Sequence, residues 1–196
     1  MWLSALNPSS VTTPVDAADA ADVGRRQPHE NPRILIVDDI ADNRTILARR
    51  FQRRNYESVE ATGGISALEL VAIDTYDTVL LDIMMPDLDG FEVLRRIRLR
   101  HSSESIPVIM VTGNSQSADI VKALDLGAND YIVKPVDFAV TLARVKAQVE
   151  RKRASDALAS ANSELMQSSE RLTNEILLLH RTCMAAKHPC QNTWSE

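Results

Sequence analysis

The sequence predicts an α/β fold, in which a five-stranded parallel sheet is doubly wound by helices and followed by a long C-terminal helix. Short β-rich runs alternate with helical patterns five times in the middle of the chain. Three of these runs are apolar almost throughout, as expected for parallel strands covered on both faces. Further on, a leucine recurs every seven residues from Leu158 to Leu179, and no glycine or proline lies between Pro135 and Pro189. That pattern is typical of a long helix with a coiled-coil seam.

Each predicted element has its own signal in the chain. The strands are predicted at Arg33–Val37, Ser58–Ala61, Thr78–Leu81, Pro107–Val111 and Asp130–Val133. The helices between them are predicted at Asp42–Arg54, Ile65–Ile73, Phe91–His101 and Ala118–Leu126, and a fifth begins near Asp137. Gly90 and Gly127 punctuate the third and fourth helices, and Pro86 prevents a helix directly after strand three. In such a sheet, ligands bind outside the carboxyl ends of the strands.

Composition limits the classes of function. The chain has 196 residues, 44% hydrophobic but only 4% aromatic, so its core must be mainly aliphatic. A net charge of -5 argues against a generally basic surface for nucleic acid. No apolar run approaches the roughly 20 residues that span a bilayer. The two cysteines, Cys183 and Cys190, make no disulfide framework. We therefore expect a cytoplasmic protein that binds neither nucleic acid nor membrane.

The predicted organisation has four segments. Residues 1–31, rich in alanine, aspartate, serine, threonine and proline, are predicted to be a flexible N-terminal tail. Residues 32–150 form the compact domain, 151–182 a helical coiled-coil extension, and 183–196 an irregular tail. His180, Cys183, His188 and Cys190 could be taken as zinc ligands, but their irregular spacing favours chance clustering.

Acidic side chains follow two of the predicted strands. Asp38 and Asp39 follow strand one, and Asp82 follows strand three. If these strands are neighbours, their carboxyl ends converge, and three carboxylates in one crevice repel one another unless a cation lies among them. Oxygen ligands of this kind suit Mg²⁺, which also accepts a phosphate oxygen. One carboxylate can then act as a nucleophile toward a phosphoryl group.

Two further strand ends supply a hydroxyl, at Thr112, and an ammonium, at Lys134. Each feature alone has an ordinary structural explanation, because aspartates often cap helices and Thr-Gly-Asn or Lys-Pro often form loops. Phosphoryl transfer, however, depends on positioning and charge neutralisation, which a metal, an ammonium and a hydroxyl provide together. The combination of four strand ends therefore favours a phosphoryl-transfer site.

The resemblance to a known family lies in four motifs, which are Asp38-Asp39 after RILIV, VLLDIMMPDLDGFE around Asp82, VTG at Thr112, and DYIVKP ending at Lys134-Pro135. Together they resemble the receiver family of two-component response regulators. The spacing is similar too, since Thr112 lies 30 residues (112 − 82) and Lys134 lies 52 residues (134 − 82) after Asp82. The resemblance covers about residues 32–150 and implies a flavodoxin-like fold.

The resemblance implies that Asp82 is phosphorylated by a sensor histidine kinase or a phosphotransfer protein. Asp38 and Asp39 would organise Mg²⁺ beside Asp82, with Asp39 as the direct ligand and Met84 contributing its backbone carbonyl. A domain of this kind is a switch rather than an enzyme, since it catalyses only its own phosphorylation and dephosphorylation.

The resemblance also implies roles at the remaining strand ends. Thr112 and Lys134 would contact the phosphoryl group, and a cis bond would join Lys134 to Pro135. Gly113 stands where the family often has alanine, and it leaves room for the phosphate. Tyr131 falls at the position of the family's switch aromatic, which turns inward when the threonine moves. A partly buried strand aromatic is the alternative for Tyr131, and both interpretations stay open.

Three other functions are weighed against this one. An aspartyl-phosphate phosphohydrolase usually has a second aspartate two residues after its nucleophile, where this chain has Met84. A DNA-binding regulator is disfavoured because the residues after Glu150 show one helical pattern and no helix-turn-helix. In related proteins a receiver and a coiled coil often precede a cyclase, phosphodiesterase or kinase domain. A regulatory fragment of a larger signalling enzyme is therefore the alternative interpretation.

The helical extension predicts a homodimer. If Leu158, Leu165, Leu172 and Leu179 take the d positions of a heptad, the a positions are Ser155, Asn162, Ser169 and Ile176. Because three of these a positions are polar, we expect a weak or conditional parallel dimer. The basic stretch Arg151–Arg153 is interpreted as a solvated helix face.

Overall fold

A computed structural model describes residues 31–113 and 117–186, with the side chains of 117 and 183–186 left undescribed. The flexible tail predicted for residues 1–31 lies outside the described residues except for Asn31. So do residues 187–196 of the predicted irregular tail, together with most of the cysteine and histidine side chains weighed as zinc ligands.

Five strands and five helices alternate along the described chain. The strands are β1 (Arg33–Val37), β2 (Glu57–Ala61), β3 (Thr78–Asp82), β4 (Val108–Thr112) and β5 (Asp130–Val133). The helices are α1 (Ala41–Gln52), α2 (Gly64–Ile73), α3 (Gly90–Arg98), α4 (Ser117–Asp125) and α5 (Phe138–Ala186). All strand pairs are parallel, in the order β2-β1-β3-β4-β5. The predicted fold class is confirmed.

The hydrophobic core has two layers, one on each face of the sheet. Leu35 and Val37 of β1 pack with residues of α2, α3 and α4 on one face. Ile34 and Ile36, the alternate residues of the same strand, pack with α1 and α5 on the other. Because successive side chains of a strand point to opposite faces, a strand buried on both must be apolar throughout. This arrangement explains the uninterrupted aliphatic run RILIV.

Two strands end one residue later than predicted. Asp82 is the last residue of β3 and lies opposite Val111, and Thr112 is the last residue of β4 and lies opposite Val133. Both polar residues are buried within the ladder, because hydrogen bonding to the neighbouring strand continues through them. The side chains of Asp82 and Thr112 therefore project from regular strand positions, whereas Asp38, Asp39 and Lys134 directly follow their strands.

Helix α3 ends at Arg98, before the predicted end at His101. The guanidinium of Arg98 donates hydrogen bonds to the carbonyls of Gly127 at 2.9 Å and Ile106 at 3.0 Å. These bonds fasten the end of α3 to the turns that precede β5 and β4. The chain leaves the helix here because it must return toward β4.

Helix α5 begins where the Asp137 carboxylate accepts hydrogen bonds from the backbone N–H groups of Ala139 and Val140. Its first turns cover the sheet through an apolar stripe, as predicted, and this stripe comprises Phe138, Leu142, Val145 and Val149. The helix then continues to Ala186, past the predicted boundary at residue 182. The sequence offers no glycine or proline to stop it before Pro189. Within the described residues, no helix has the length and apolar character needed to cross a membrane.

Candidate functional site

Three carboxylates meet at the carboxyl end of the sheet. One oxygen from each of Asp38, Asp39 and Asp82 lies within 4.8 Å of the others. β1 and β3 are neighbours in the sheet, so residues directly after β1 lie beside the last residue of β3. Asp38 and Asp82 are buried, whereas Asp39 is exposed. The convergence predicted from the sequence is therefore present.

The side chain of Lys134 reaches this crevice from the end of β5. Its ammonium nitrogen Nζ donates to Asp82 Oδ2 at 2.7 Å and to Asp38 Oδ2 at 3.1 Å. The backbone N–H of Lys134 donates to the carbonyl of Thr112 at 2.7 Å, which fixes the start of the side chain against β4. The bond between Lys134 and Pro135 is cis, as predicted. One ammonium thus neutralises part of the charge of three carboxylates.

Burial and charge pairing shift the pKa values of Asp82 and Lys134 in opposite directions. Loss of water around Asp82 raises its pKa, and the nearby Asp38 adds to this, while Lys134 acts to lower it; the net pKa is raised. Burial alone would lower the pKa of Lys134, but hydrogen bonds and charge pairing with Asp82 and Asp38 outweigh burial and raise it. Because carboxylates outnumber the ammonium, the crevice has the charge and the oxygen donors to hold a divalent cation.

Asp38 is fixed more firmly than Asp39. Its Oδ1 accepts from the backbone N–H of Ile40 at 2.8 Å, and the amide nitrogen of Asn43 lies 3.2 Å and 3.3 Å from its two carboxylate oxygens. Lys134 supplies the remaining donor. Three donors saturate most of the acceptor capacity of one carboxylate. Of these two carboxylates, Asp39 therefore has more acceptor capacity left for a cation.

The other predicted site residues lie around this crevice. Thr112 is buried at the end of β4, next to Asp82 on the neighbouring strand. A Cβ added to Gly113 would meet no atom of the described residues within 4 Å, so these residues leave open space beside the threonine. Met84 has an exposed side chain, and its backbone N–H lies 3.4 Å from Asp82 Oδ1.

Tyr131 is half-buried in β5 and packs against the cluster that includes Met110. Its ring centroid lies 5.6 Å from the guanidinium carbon of Arg144. This position agrees with both interpretations of Tyr131, the switch aromatic and the ordinary strand aromatic.

The loop after β3 is held in place by contacts that sequence reasoning missed. The Asp87 carboxylate accepts from the backbone N–H groups of Gly64 at 3.1 Å and Ile65 at 3.0 Å, so it caps α2. These hydrogen bonds lower the pKa of Asp87. At the end of the loop, Gly90 is so close to β3 that an added Cβ would lie 2.2 Å from the carbonyl oxygen of Asp82. The sequence shows a turn here, but no local signal identifies these partners.

A doubly wound sheet with an acidic crevice beyond β1 and β3 and a lysine beyond β5 defines the receiver class of signalling domain. Residues 34–146 match the family described as the response regulator receiver domain. The chain therefore belongs to this family, and the resemblance drawn from its motifs is confirmed.

Curated relatives agree with this assignment. The chain is 40% identical over 128 residues to response regulator MprA of Mycobacterium leprae, covering 65% of this chain and 55% of that protein. It is 37% identical over 126 residues to response regulator PleD of Caulobacter vibrioides, covering 64% and 28%. It is 38% identical over 143 residues to a Vibrio cholerae protein named "Probable cyclic di-GMP phosphodiesterase", covering 73% and 32%. The chain thus spans between 28% and 55% of the length of these relatives.

Solved structures show the same domain. The receiver domain protein from Methanospirillum hungatei superposes with a TM-score of 0.59 at 29% identity, over 64% of this chain and 98% of that one. Response regulator TrrA from Thermotoga maritima, solved in complex with Mg²⁺ and BeF, gives a TM-score of 0.54 at 32% identity, over 60% and 98%.

Proposed function

We propose that the chain is a phosphorylation-activated response regulator in which Asp82 accepts a phosphoryl group from a sensor histidine kinase or a phosphotransfer protein. The observation that carries the proposal is the position of Asp82, buried at the end of β3 between two further carboxylates and the ammonium of Lys134. An aspartate with only a structural role would not require this concentration of like charge.

Asp38, Asp39 and Asp82 would hold the cation, with Asp39 as the direct ligand and the backbone carbonyl of Met84 as a further one. Their oxygen donors fit Mg²⁺, which accepts few protein ligands and keeps several waters. Bound there, Mg²⁺ would neutralise charge on the phosphoryl oxygens and bring them to the nucleophile. The TrrA structure with Mg²⁺ and BeF supports this choice of ion.

The transfer itself would be a displacement at phosphorus. A carboxylate oxygen of Asp82 forms the new P–O bond while the P–N bond to the donor histidine breaks, and the imidazole leaves with the electron pair and takes up a proton. The ammonium of Lys134 would then exchange its contact with the Asp82 carboxylate for one with a negatively charged phosphoryl oxygen. The Thr112 hydroxyl would donate to another phosphoryl oxygen, with the space beside Gly113 admitting the group. Only the chain's own acyl phosphate is made and hydrolysed, so no external substrate is turned over.

A small phosphodonor with Mg²⁺ tests the proposal directly. The wild-type protein should gain one phosphoryl group in its intact mass, and the gain should disappear when Mg²⁺ is chelated. Asp82→Asn should show no gain under the same conditions, while Asp87→Asn, changed in the loop that follows β3, should react. A phosphoryl group gained equally by Asp82→Asn would rule out Asp82 as the acceptor.

We also propose that α5 pairs two copies of the chain beyond the receiver. The predicted seam residues are exposed on the single chain, with Leu158 at 64%, Leu165 at 68%, Leu172 at 57% and Leu179 at 69% exposure. Helices that leave an apolar stripe in water tend to bury it against a partner. The polar a positions make the pairing weak. Phosphorylation would then need to change the free energy of dimerisation by only a few kcal/mol to shift the equilibrium between monomer and dimer.

The second candidate is a regulatory part of a longer signalling enzyme. It is favoured by the partial coverage of the relatives, since the match to the Vibrio cholerae protein spans 32% of that protein's length. In that case α5 would lead toward an output domain. An immunoblot of the source cells, with antibody raised against the receiver, would show a protein much longer than 196 residues.

A further inference from the structure

Arg44 lies beneath the acidic crevice, in the first turn of α1, and has no part in the transfer described above. Its residue exposure is 8%, so a full positive charge is buried there. Burying a guanidinium is costly unless its donors are satisfied. An aliphatic side chain would fill the same space at a lower desolvation cost, which indicates that the positive charge of Arg44 has a role beyond packing.

The contacts of Arg44 join three elements around the site. Nη1 donates to the backbone carbonyl oxygen of Asp38 at 2.6 Å. On the other side, Nε lies 3.6 Å from Oε2 of Glu60 near the end of β2, an ion pair longer than a hydrogen bond. Nε is buried and has no hydrogen-bond partner among the described residues. The planar fork of an arginine can meet a carbonyl and a carboxylate together, which a lysine ammonium on its flexible stem does less well. The guanidinium thus connects α1, the end of β1 and β2.

The carbonyl that Arg44 holds belongs to the peptide linking Asp38 to Asp39. The Asp38 carboxylate is fixed by Ile40, Asn43 and Lys134, and the bond from the Ile40 N–H also holds the peptide that follows Asp39. Asp39 is exposed, and within residues 31–113 and 117–186 no side-chain hydrogen bond orients its carboxylate. The direction of the Asp39 side chain is therefore set by its backbone. Arg44 holds that backbone at the peptide between Asp38 and Asp39.

We propose that Arg44 is a positioning residue for the metal site. By holding the Asp38 carbonyl, it fixes the orientation of the following peptide and so directs the Asp39 carboxylate into the crevice that it shares with Asp82. The inference rests on the proposed Mg²⁺ site and adds a residue that touches neither the ion nor the phosphoryl group.

Loss of the guanidinium should weaken the cation site without removing any ligand. Removing a partner that orients a metal ligand typically lowers metal affinity by roughly tenfold or more. Arg44→Met should therefore bind the cation about tenfold more weakly. At saturating Mg²⁺ its phosphorylation rate should return toward that of the wild type, because Asp82, Thr112 and Lys134 are unchanged. Arg44→Lys keeps a donor for the Asp38 carbonyl, so its affinity for the cation should lie between those of the wild type and Arg44→Met.

The experiment uses Mn²⁺ as the probe, with the free ion measured by electron paramagnetic resonance and displaced by Mg²⁺ in competition. Arg49→Met is the matched control, because Arg49 is an exposed residue of the same helix. Because the ion binds only the folded protein, the apparent dissociation constant rises in inverse proportion to the folded fraction. The folded fraction of each variant is therefore measured by circular dichroism without metal, and the intrinsic affinity corrected for it is compared.

The expected order of affinity is wild type and Arg49→Met, then Arg44→Lys, then Arg44→Met. Arg44→Met binding Mn²⁺ as tightly as the wild type would overturn the inference while leaving the Mg²⁺ site intact. If Arg44→Met does not fold, Arg44→Lys decides, and an unchanged affinity overturns the inference. A wild-type protein that binds no Mn²⁺ would remove the proposed metal site and this inference together.

Discussion

The ammonium of Lys134 lies 2.7 Å from a carboxylate oxygen of Asp82 and forms its second bond, at 3.1 Å, to Asp38. A single positive charge on β5 is therefore shared by carboxylates on β3 and after β1. Two negative charges in the crevice remain to be balanced, which is the electrostatic reason that the site can take a divalent cation.

Asp82 should destabilise the metal-free protein at neutral pH. Its pKa is raised above 3.8, first by burial, so just above pH 3.8 the folded protein binds more protons than the unfolded chain. The contribution of Asp82 to the free energy of unfolding then falls as the pH rises through its folded pKa. Asp82→Asn should be more stable than the wild type at neutral pH, and the difference should shrink as the pH is lowered toward about 4.

Urea denaturation with a chelator present, repeated over this pH range, checks the prediction. Lys134 keeps a partner in the variant because Asp38 remains. An Asp82→Asn protein that is less stable than the wild type at neutral pH would mean that pairing with Lys134 outweighs the burial of the carboxylate.

Asp39→Ala should abolish Mg²⁺ binding and slow phosphorylation strongly. Asp39 is the exposed member of the acidic cluster and has acceptor capacity left for the ion. The matched control is Asp42→Ala, since Asp42 is an exposed acidic residue in the first turn of α1. Titration with Mg²⁺ against bound Mn²⁺ measures the effect. An Asp39→Ala protein with the affinity of the wild type would show that the metal assignment is wrong.

Gly90→Ala should destabilise the domain by roughly 1–3 kcal/mol or more, the usual range for overpacking. The added Cβ would lie 2.2 Å from the Asp82 carbonyl oxygen and 2.8 Å from Cα of Ile83, and both are backbone atoms that cannot move aside easily. Gly113→Ala, whose Cβ meets no atom of the described part of the chain within 4 Å, is the control and should change stability by less than about 0.5 kcal/mol. Urea denaturation compares them, and equal effects would contradict the packing described for the loop.

The strands and the site aspartates could be predicted from the sequence because their signals are local. A strand buried on both faces has to be continuously apolar, and a polar residue at the end of such a run marks the carboxyl edge of the sheet. The roles of Asn43, Arg44 and Asp87 could not be predicted in this way. Polar residues in a first helical turn or a loop are ordinary, and their partners are fixed only by folding. Asp87 and Gly64, for example, lie 23 residues apart in the chain.

The end of α3 illustrates the same limit. The helical pattern continues to His101 in the sequence, but Arg98 bonds to turns that belong to other parts of the chain. The backbone N–H of His101 still bonds to the carbonyl of Ile97 at 2.9 Å, so the two boundaries differ by less than one helical turn.

Leu165→Asp combined with Leu172→Asp should convert a concentration-dependent dimer into a monomer. Both leucines are more than half exposed on the single chain, and a charge in a helix seam would be buried without a partner. Light scattering over a concentration series, with and without beryllofluoride, measures the effect. Met166→Asp is the control, because Met166 is similarly exposed and lies outside the a and d positions of the seam. A wild-type monomer at every concentration would show that the seam is no dimer interface.

The most direct test of the central claim is to locate the acyl phosphate on the chain. Borohydride reduction converts a phosphorylated aspartate to homoserine, which tandem mass spectrometry of the peptides can assign to one residue. After reaction with a phosphodonor and Mg²⁺, we expect homoserine at position 82 and unmodified Asp38 and Asp39. Homoserine at another carboxylate, with Asp82 unmodified, would contradict it.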